Sequence, residues 1–316
     1  MRTIATSLVF AFLCTTSVGA YTAASNADVP NTITLPQNAS YPNGITHAED
    51  GTLFIGQITQ GGILRRGPDG LWSRIHEGSE SIFAGTALRL DEARNVLWGA
   101  SPDFLPEGEP RVPNIFAIDT RTGVVLQSVA LNDGFTNDIA IEPEGSILVT
   151  DSTGGRLLRL TLGETEFETA LQDDRLTHDS GIGVGGIARA PNGAVAVGNF
   201  STGRLYIYEN DSLRELELPR TIENPDGMAF TADGSLIVLE GAVESGDGRV
   251  LRIANSLAPG KRDLEIVTEG LESPVNLTIA SDGIAYVTES RIRHRLIEGR
   301  ETEIPNEFRV VAVPLS

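Results

Sequence analysis

A short polar phrase recurs along this chain of 316 residues, and its side chains carry oxygen and nitrogen atoms suited to chemistry. It reads Pro-Asn-Gly at 42–44, Thr-Asn-Asp at 136–138 and Pro-Asp-Gly at 225–227. Asn43, Asn137 and Asp226 hold the same place in it, and Asp138 and Asn276 lie one residue further on in their copies. Such groups can orient a carbonyl-containing substrate or bind calcium. Either use requires a fold that brings the copies together.

The phrase opens a repeated unit. Each copy continues with alternating apolar and polar residues, usually a turn such as Glu-Asp-Gly or Ala-Asp-Gly, and a second alternating stretch, which together are typical of a β-hairpin. Third and fourth strand-like segments follow, and the copies lie 41 to 53 residues apart. Six such units predict an all-β fold, a six-bladed β-propeller with four-stranded antiparallel blades. The six equivalent positions are Asn43, Ala84, Asn137, Gly185, Asp226 and Val275.

Strand parity predicts which end of the propeller carries the site. If the first strand of each blade begins at the upper face, the links between strands two and three and between blades also lie there. The long links at 101–114, 172–184 and 241–248 all belong to this face. Long ordered loops on a rigid scaffold commonly carry binding and catalysis. We therefore expect a site at the upper mouth of the central channel, with Asn43, Asn137 and Asp226 as its inner ring.

Further side chains are expected around this mouth. Glu240 and Glu289 lie fourteen residues after their phrase positions and, with Asp138 and Asn276, should form a second, substrate-binding ring. His178 lies in the 172–184 loop, and a histidine side chain there is expected to act as general acid or base beside the inner ring.

The other histidines are expected to be structural: His47 near the lower end, and His76 and His294 in outer strands. Glycosylation signals occur at Asn38 and Asn210 in turn-like segments, whereas those at Asn199 and Asn276 fall at strand ends where burial would block modification.

The N-terminus has the layout of a secretory signal. Arg2 precedes an apolar run and a small-residue site that ends at Ala20, so residues 1–20 are predicted to be a signal peptide and 21–316 a single secreted domain. Cys14, the only cysteine, lies inside this signal. Either residues 31–36 or the C-terminal segment from Phe308 is expected to complete the last blade.

The net charge of the chain limits the classes of partner that it can bind. The formal net charge of −19 argues against nucleic acid or an anionic membrane surface, because both are bound through Lys and Arg. No P-loop, serine nucleophile elbow or zinc-ligand spacing occurs in the sequence. We expect a small-molecule substrate, and the sequence does not indicate an oligomeric state.

In these repeated phrases the chain resembles the senescence marker protein and gluconolactonase family, also called luciferin-regenerating-enzyme-like. It resembles paraoxonases and strictosidine-synthase-like propellers more distantly. The resemblance covers all six units, and the phrases beginning at Thr136 and Pro225 carry it best. It implies lactone or ester hydrolysis with a divalent metal at the channel mouth. In the family a first-blade Glu, two Asn and the Asp of the Pro-Asp-Gly phrase hold this metal, and that Asp also acts as base.

Two of the four metal positions match and two depart. Asp226 matches the family's Asp and Asn137 one of its Asn residues, but Asn43 stands at the Glu position and Gly185 at that of the second Asn. Calcium or another divalent cation would therefore be held by one carboxylate and two amides, and we expect no tightly bound cofactor.

Three functions follow as hypotheses. The preferred one is a metal-independent enzyme of specialised metabolism that forms or rearranges rings, as a cyclase, cycloaddition catalyst or lyase does. The second is a metal-dependent lactonase. The third is a noncatalytic binding propeller.

Overall fold

A computed structural model describes residues 31–106 and 108–315 of the chain. These residues form six four-stranded antiparallel sheets. The innermost strands of neighbouring sheets contact one another around a closed ring, so the predicted six-bladed β-propeller is confirmed. The predicted signal peptide and Cys14 lie outside the described residues.

Each blade runs from the channel outwards. The innermost strands are β2 (Pro42–His47), β6 (Ala87–Asp91), β10 (Thr136–Ile141), β14 (Val184–Arg189), β18 (Pro225–Phe230) and β22 (Pro274–Ile279). The second strands are β3 (Leu53–Gln57), β7 (Val96–Ser101), β11 (Ile147–Asp151), β15 (Val195–Asn199), β19 (Leu236–Glu240) and β23 (Ile284–Glu289). The third strands are β4 (Ile63–Arg66), β8 (Asn114–Asp119), β12 (Arg156–Leu160), β16 (Arg204–Glu209), β20 (Gly248–Ile253) and β24 (Arg309–Pro314). The outermost strands are β5 (Trp72–His76), β9 (Val125–Ala130), β13 (Glu168–Gln172), β17 (Ser212–Glu215), β21 (Glu265–Leu271) and β1 (Asn31–Thr34).

Both segments, residues 31–36 and the one from Phe308, complete the sixth blade, where the sequence suggested one or the other. The C-terminal β24 is its third strand, and the N-terminal β1 pairs with it as the outermost strand, Asn31 opposite Ala312. Pairing of the two termini closes the ring through backbone hydrogen bonds rather than loop contacts.

The acidic–glycine turns of the repeat make the inner hairpins. The glycine adopts a positive φ, as at Gly51 (86°) and Gly234 (81°), and the preceding carboxylate accepts a hydrogen bond from the backbone two residues on. Asp50 binds the amide of Thr52 at 2.8 Å and Asp233 binds that of Ser235 at 3.1 Å. Local turn chemistry thus explains why the motif recurs.

The core lies between blades, where apolar side chains from facing sheets pack together. Trp98 and Phe116, for example, are almost completely buried. Among the described residues, no helix is long and apolar enough to cross a membrane.

Within residues 31–106 and 108–315, helix is limited to two short 3-10 turns, Glu92–Arg94 and Asp174–Leu176, and one four-residue α-helix, α1 (Arg293–Leu296). The prediction that His294 lies in an outer strand is wrong, because it belongs to α1 within the link between β23 and β24. His76 ends the outermost strand β5, as predicted. His47 ends β2 at the lower face, where its Nδ1 lies 2.7 Å from the Thr278 hydroxyl.

The glycosylation signals differ in accessibility. Asn38 and Asn210 are exposed, whereas Asn199 and Asn276 are buried, as their strand-end positions predicted. Glycan attachment at Asn38 and Asn210 stays a prediction.

Candidate functional site

A small cavity of about 50 Å³ lies at the upper end of the channel; we call it the upper cavity. Its polar lining comes from Asn43, Thr86, Asn137 and Asp226. Its remaining lining is mostly apolar and consists of Ile58, Pro102, Phe104, Phe135, Ile182, Phe200, Gly241, Val243, Ser273, Val275, Ile292 and Leu296. The structure therefore brings together the three side chains that the sequence assigned to the inner ring.

A β-bulge positions three of these polar side chains. The register between first and second strands shifts between Pro42 and Ile45, and again after Thr136 and after Pro225. The shifts fall at Asn43, Asn137 and Asp226. Bulges of this kind redirect side chains that regular pairing would place elsewhere. The repeated phrase is thus the sequence of a bulge that aims an amide or carboxyl group at the channel.

The glycine of the phrase permits close packing of neighbouring blades. A Cβ added at Gly44 would lie 2.7 Å from backbone atoms of Ala87 and Leu88, and one at Gly227 would lie 2.6 Å from the Cα of Asn276. No side chain fits at such distances. The glycine therefore allows the inner strands to pack closely, while the residue before it lines the cavity.

The second blade lacks the bulge, and this changes its contribution. β6 and β7 pair without a register shift, and Thr86 lines the cavity. Ala84, the position found by counting, is buried, and its amide is bound by the Ser101 hydroxyl at 3.0 Å. Sequence counting missed Thr86, although its hydroxyl lies only two residues beyond the expected place.

Asn137 is held in one orientation. Its Nδ2 donates to the Ser152 hydroxyl at 3.0 Å, and that hydroxyl donates to the Val184 carbonyl at 2.6 Å. The amide oxygen of Asn137 is left for the cavity. The Thr86 hydroxyl donates to the Asn137 backbone carbonyl at 3.3 Å, which ties the second blade to the third.

Asp226 has the environment of a neutral carboxylic acid. Burial raises the pKa of Asp226 well above its ordinary value of 3.8, and the nearby Asp138 carboxylate raises it further. Only a hydrogen bond from the Gly227 amide favours the charged form. The protonated Asp226 carboxyl can donate a hydrogen bond, which an ionised carboxylate cannot.

Asp138 and Asn276 lie below the cavity and bind Arg89 rather than facing a ligand. The Arg89 guanidinium is 2.9 Å from the Asp138 carboxylate and donates to the Asn276 amide oxygen at 3.2 Å. Burial raises the pKa of Asp138, and the Arg89 charge opposes this effect. Neither residue lines the upper cavity, where both were expected to bind substrate.

Glu240 and Glu289 do not form the expected second ring. Each is buried at the end of a second strand. Glu240 accepts hydrogen bonds from Arg220 at 2.5 Å and from the Glu223 amide at 2.8 Å. Glu289 binds Arg309 and, at 2.7 Å, the Glu272 amide.

The acidic residue fourteen positions after the phrase therefore fixes the upper links to the blades by accepting hydrogen bonds from them. The same use occurs in the third blade, where Asp151 accepts from the Phe135 amide at 2.9 Å. Counting placed these residues at the correct face but could not show that backbone amides and arginines already occupy their oxygens.

His178 lies outside the cavity. Its side chain is exposed, and its Nδ1 accepts a hydrogen bond from the Ser180 amide at 3.3 Å. The 172–184 loop instead contributes Ile182 to the lining.

The link between β23 and β24, residues 290–308, closes one side of the cavity and was not identified from the sequence. Ile292 and Leu296 line the cavity, and Arg293 fastens the link by donating to the Val243 carbonyl at 2.6 Å. His294 Nε2 lies 3.1 Å from the Tyr41 hydroxyl. Charged residues alternate with apolar ones here, so the sequence carries no signal of a cavity wall.

A second, more open cavity of about 290 Å³ lies at the lower end of the channel. It is larger than the upper one, but its titratable lining consists of Arg89 and Arg189, and the rest is mainly apolar strand ends. The acid and the amide groups face the other end, so we place the chemistry in the upper cavity.

The donor set of the upper cavity does not fit a tightly held divalent cation. Calcium prefers six to eight oxygens with several carboxylates, whereas this cavity offers one carboxyl group, two amides and two hydroxyls. Among residues 31–106 and 108–315, no group of three or more His, Cys, Asp or Glu side chains is placed to hold a metal ion. A cation would also have to displace the proton that burial favours on Asp226.

Solved structures share this fold. Virginiamycin B lyase from Staphylococcus aureus is 18% identical with a TM-score of 0.60, over 82% of this chain and 81% of that one. A gluconolactonase from Xanthomonas campestris is 15% identical with a TM-score of 0.61, over 89% of each chain. A luciferin-regenerating enzyme is 13% identical with a TM-score of 0.62, over 91% and 96%.

The resemblance drawn from the sequence is thus confirmed for the fold, since gluconolactonase and luciferin-regenerating enzyme are among these structures. No protein-family model and no curated protein sequence matches the chain. Identities of 13% to 18% establish shared architecture and leave the activity to be argued from the cavity.

Proposed function

We propose that this protein is an enzyme that binds a small carbonyl-containing substrate in the upper cavity and promotes ring formation or rearrangement without a tightly held metal. The observation that carries the proposal is the convergence of Asn43, Asn137 and Asp226 in one cavity whose other walls are mostly apolar. Secretion through the N-terminal signal and a place in specialised metabolism belong to the same proposal.

Asp226 is the proton donor in this mechanism. In its neutral form it donates a hydrogen bond to the substrate carbonyl oxygen, and negative charge that develops there draws the proton closer. The carbonyl carbon or its conjugated partner becomes more electrophilic, which lowers the barrier to bond formation within the substrate. The proton stays with Asp226 when the product leaves, so the acid is unchanged after each turnover.

The other polar groups orient the substrate. Within the described residues the Asn43 side chain has no hydrogen-bond partner, so its amide N–H is available to the same carbonyl oxygen. Asn137 offers its amide oxygen to a hydroxyl or N–H on the substrate, because its nitrogen is bound to Ser152. Fixed donors inside a mostly apolar cavity stabilise developing charge more strongly than water does.

Metal-dependent lactone hydrolysis is the second candidate. The shared fold with a gluconolactonase favours it, together with the match of Asp226 and Asn137 to two of the family's metal-binding positions. Against it stand the amide at Asn43 and the missing side chain at Gly185. A noncatalytic binding propeller is the third candidate.

Product analysis separates these candidates. The purified protein is incubated with a panel of ketones that carry a tethered alkene and with lactones of several ring sizes, with and without chelator, and products are identified by NMR and mass spectrometry. We expect an isomer of unchanged mass from the wild type, insensitive to chelator. The Asp226→Asn variant should not form it, whereas Asp263→Asn, which removes an exposed carboxylate, should.

Chelator-sensitive addition of water to a lactone would overturn the proposal in favour of hydrolysis. Absence of any turnover, combined with tight binding of another protein, would favour the noncatalytic candidate.

A further inference from the structure

The upper cavity has one polar side and a large apolar remainder. Asn43, Asn137 and Asp226 come from inner strands, and Thr86 and Ser273 lie just before β6 and β22, while its apolar side chains come mainly from the upper links. Phe104 and Phe135 from two different links meet edge to face, with ring centroids 6.4 Å apart. Phe200, Ile182 and the residues of the 290–308 link continue this apolar surface. A ligand here exchanges water for hydrocarbon over most of its surface.

The charge in the cavity is close to zero. Within the described part of the chain its lining includes no lysine, arginine or histidine, and Asp226 is its only ionisable side chain. The nearest guanidinium below, Arg89, is paired with Asp138 at 2.9 Å. An anionic ligand would meet no cation, and a polyhydroxylated ligand would leave most of its hydroxyl groups without partners.

Apolar surface also continues outwards from the cavity. Leu296 lines the cavity and is 37% exposed, so it joins the interior to solvent. Exposed apolar side chains near a cavity are a common feature of ligand entry.

We infer that the upper cavity selects an uncharged, largely apolar, ring-sized molecule with one hydrogen-bonding oxygen directed at Asp226 and Asn43. The inference rests on the proposed function in placing the reaction there, and it adds the class of substrate. It separates this protein from enzymes that act on sugar-derived lactones, whose substrates carry a hydroxyl on most carbons.

Four probes of similar ring size test it by binding alone. Cyclohexanone is uncharged and apolar, cyclohexylammonium is a cation, cyclohexanecarboxylate is an anion, and glucono-δ-lactone is uncharged and polyhydroxylated. Affinities are measured by ligand-observed NMR titration on the full chain. We expect cyclohexanone to bind at least about tenfold more tightly than each of the others, since a buried unpaired charge or polar group costs at least that much.

Two variants locate the binding. Phe104→Ser removes an apolar wall from a partly exposed link and should weaken cyclohexanone binding about tenfold. Leu71→Ser removes a 70% exposed leucine from a lower turn and should leave binding unchanged. Equal affinities in wild type and Phe104→Ser would mean that the ring binds elsewhere and would overturn the inference.

The remaining outcomes also decide it. Tighter binding of the ammonium, the carboxylate or glucono-δ-lactone would overturn the inference, as would binding of none of the probes up to their solubility limits. Selective cyclohexanone binding without turnover of any panel substrate would support the inference while contradicting the proposed function.

Discussion

Replacement of Asp226 by Asn should stabilise the protein at neutral pH. Burial and the Asp138 carboxylate raise the pKa of Asp226, so the folded state holds a proton that the unfolded state releases above its ordinary pKa of 3.8. The free energy of unfolding of the wild type therefore falls as pH rises between 3.8 and the raised native pKa. Asparagine has the same shape and no proton to lose, so the variant escapes this loss.

The magnitude follows from one proton. The stability difference between variant and wild type should grow by about 1.4 kcal/mol per pH unit across that window and then level off. For a domain of this size this is a difference in Tm of about 2 to 4 °C per pH unit. Below the unfolded pKa both proteins hold an uncharged side chain, and the difference should vanish.

Urea denaturation of both proteins at a series of pH values, followed by the fluorescence of buried Trp98, measures this difference directly. All other titrating groups are common to the two proteins and cancel. If Asp226→Asn were less stable at neutral pH, or if the difference did not change with pH, Asp226 would be ionised in the folded state. The proton donor of the proposed mechanism would then be lost.

Glu240→Gln provides a control with the opposite sign. Burial acts to raise the pKa of Glu240, but hydrogen bonds from Arg220 and the Glu223 amide outweigh it, and the net pKa is lowered from 4.5. Its contribution to stability is present above pH 4.5 and is lost as pH falls through the lower native pKa. Glu240→Gln should cost about 2 to 3 kcal/mol at neutral pH, less than a fully buried pair because Arg220 is 40% exposed, and less in acid.

Three further outcomes are expected. Arg89→Met should cost about 3 to 5 kcal/mol in urea unfolding because it leaves Asp138 without its partner, and Arg89→Met/Asp138→Leu should recover most of this; simple additivity would contradict the coupling. Gly186→Ala places a Cβ 2.0 Å from a backbone oxygen and should lower the free energy of unfolding by about 3 kcal/mol. Gly185→Ala, whose nearest contact is at 3.7 Å, should lower it by less than about 1 kcal/mol. Equal losses would show that neighbouring blades can move apart to accommodate the methyl group. Asn43→Glu/Gly185→Asn restores the donor types that the resemblance implies, and calorimetry should show tighter calcium binding than in the wild type. If calcium affinity did not increase, the residues at positions 43 and 185 would not be what limits calcium binding in the cavity.

Local patterns were sufficient for the architecture. Period-two alternation and the acidic–glycine turns specify hairpins from residues that are neighbours in the chain, so six inner hairpins could be read directly. The positions of Asn43, Asn137 and Asp226 in the phrase followed from the same local repeat. Their convergence is a consequence of symmetry, because equivalent residues of successive blades must face one channel.

The predictions failed where the position or bonding of a side chain depends on residues that are distant in the chain. Thr86 replaces Ala84 because β6 pairs with β7 without a bulge, which no count of residues reveals. The carboxylates of Glu240 and Glu289 accept hydrogen bonds from arginines and backbone amides that the fold brings from other segments. The 290–308 link becomes a cavity wall only because Arg293 is fastened to the loop after β19.

The sequence by itself determined the number of blades, the face that carries the long links and the chemical types offered to the channel, since each depends on short-range periodicity. Only the tertiary structure decided that β1 closes the ring against β24, that the cavity is mostly apolar, and that Asp226 is half-buried near another acid. Those properties depend on which surfaces meet and on how much water they exclude, and such contacts join residues as distant in the chain as Asn31 and Ala312.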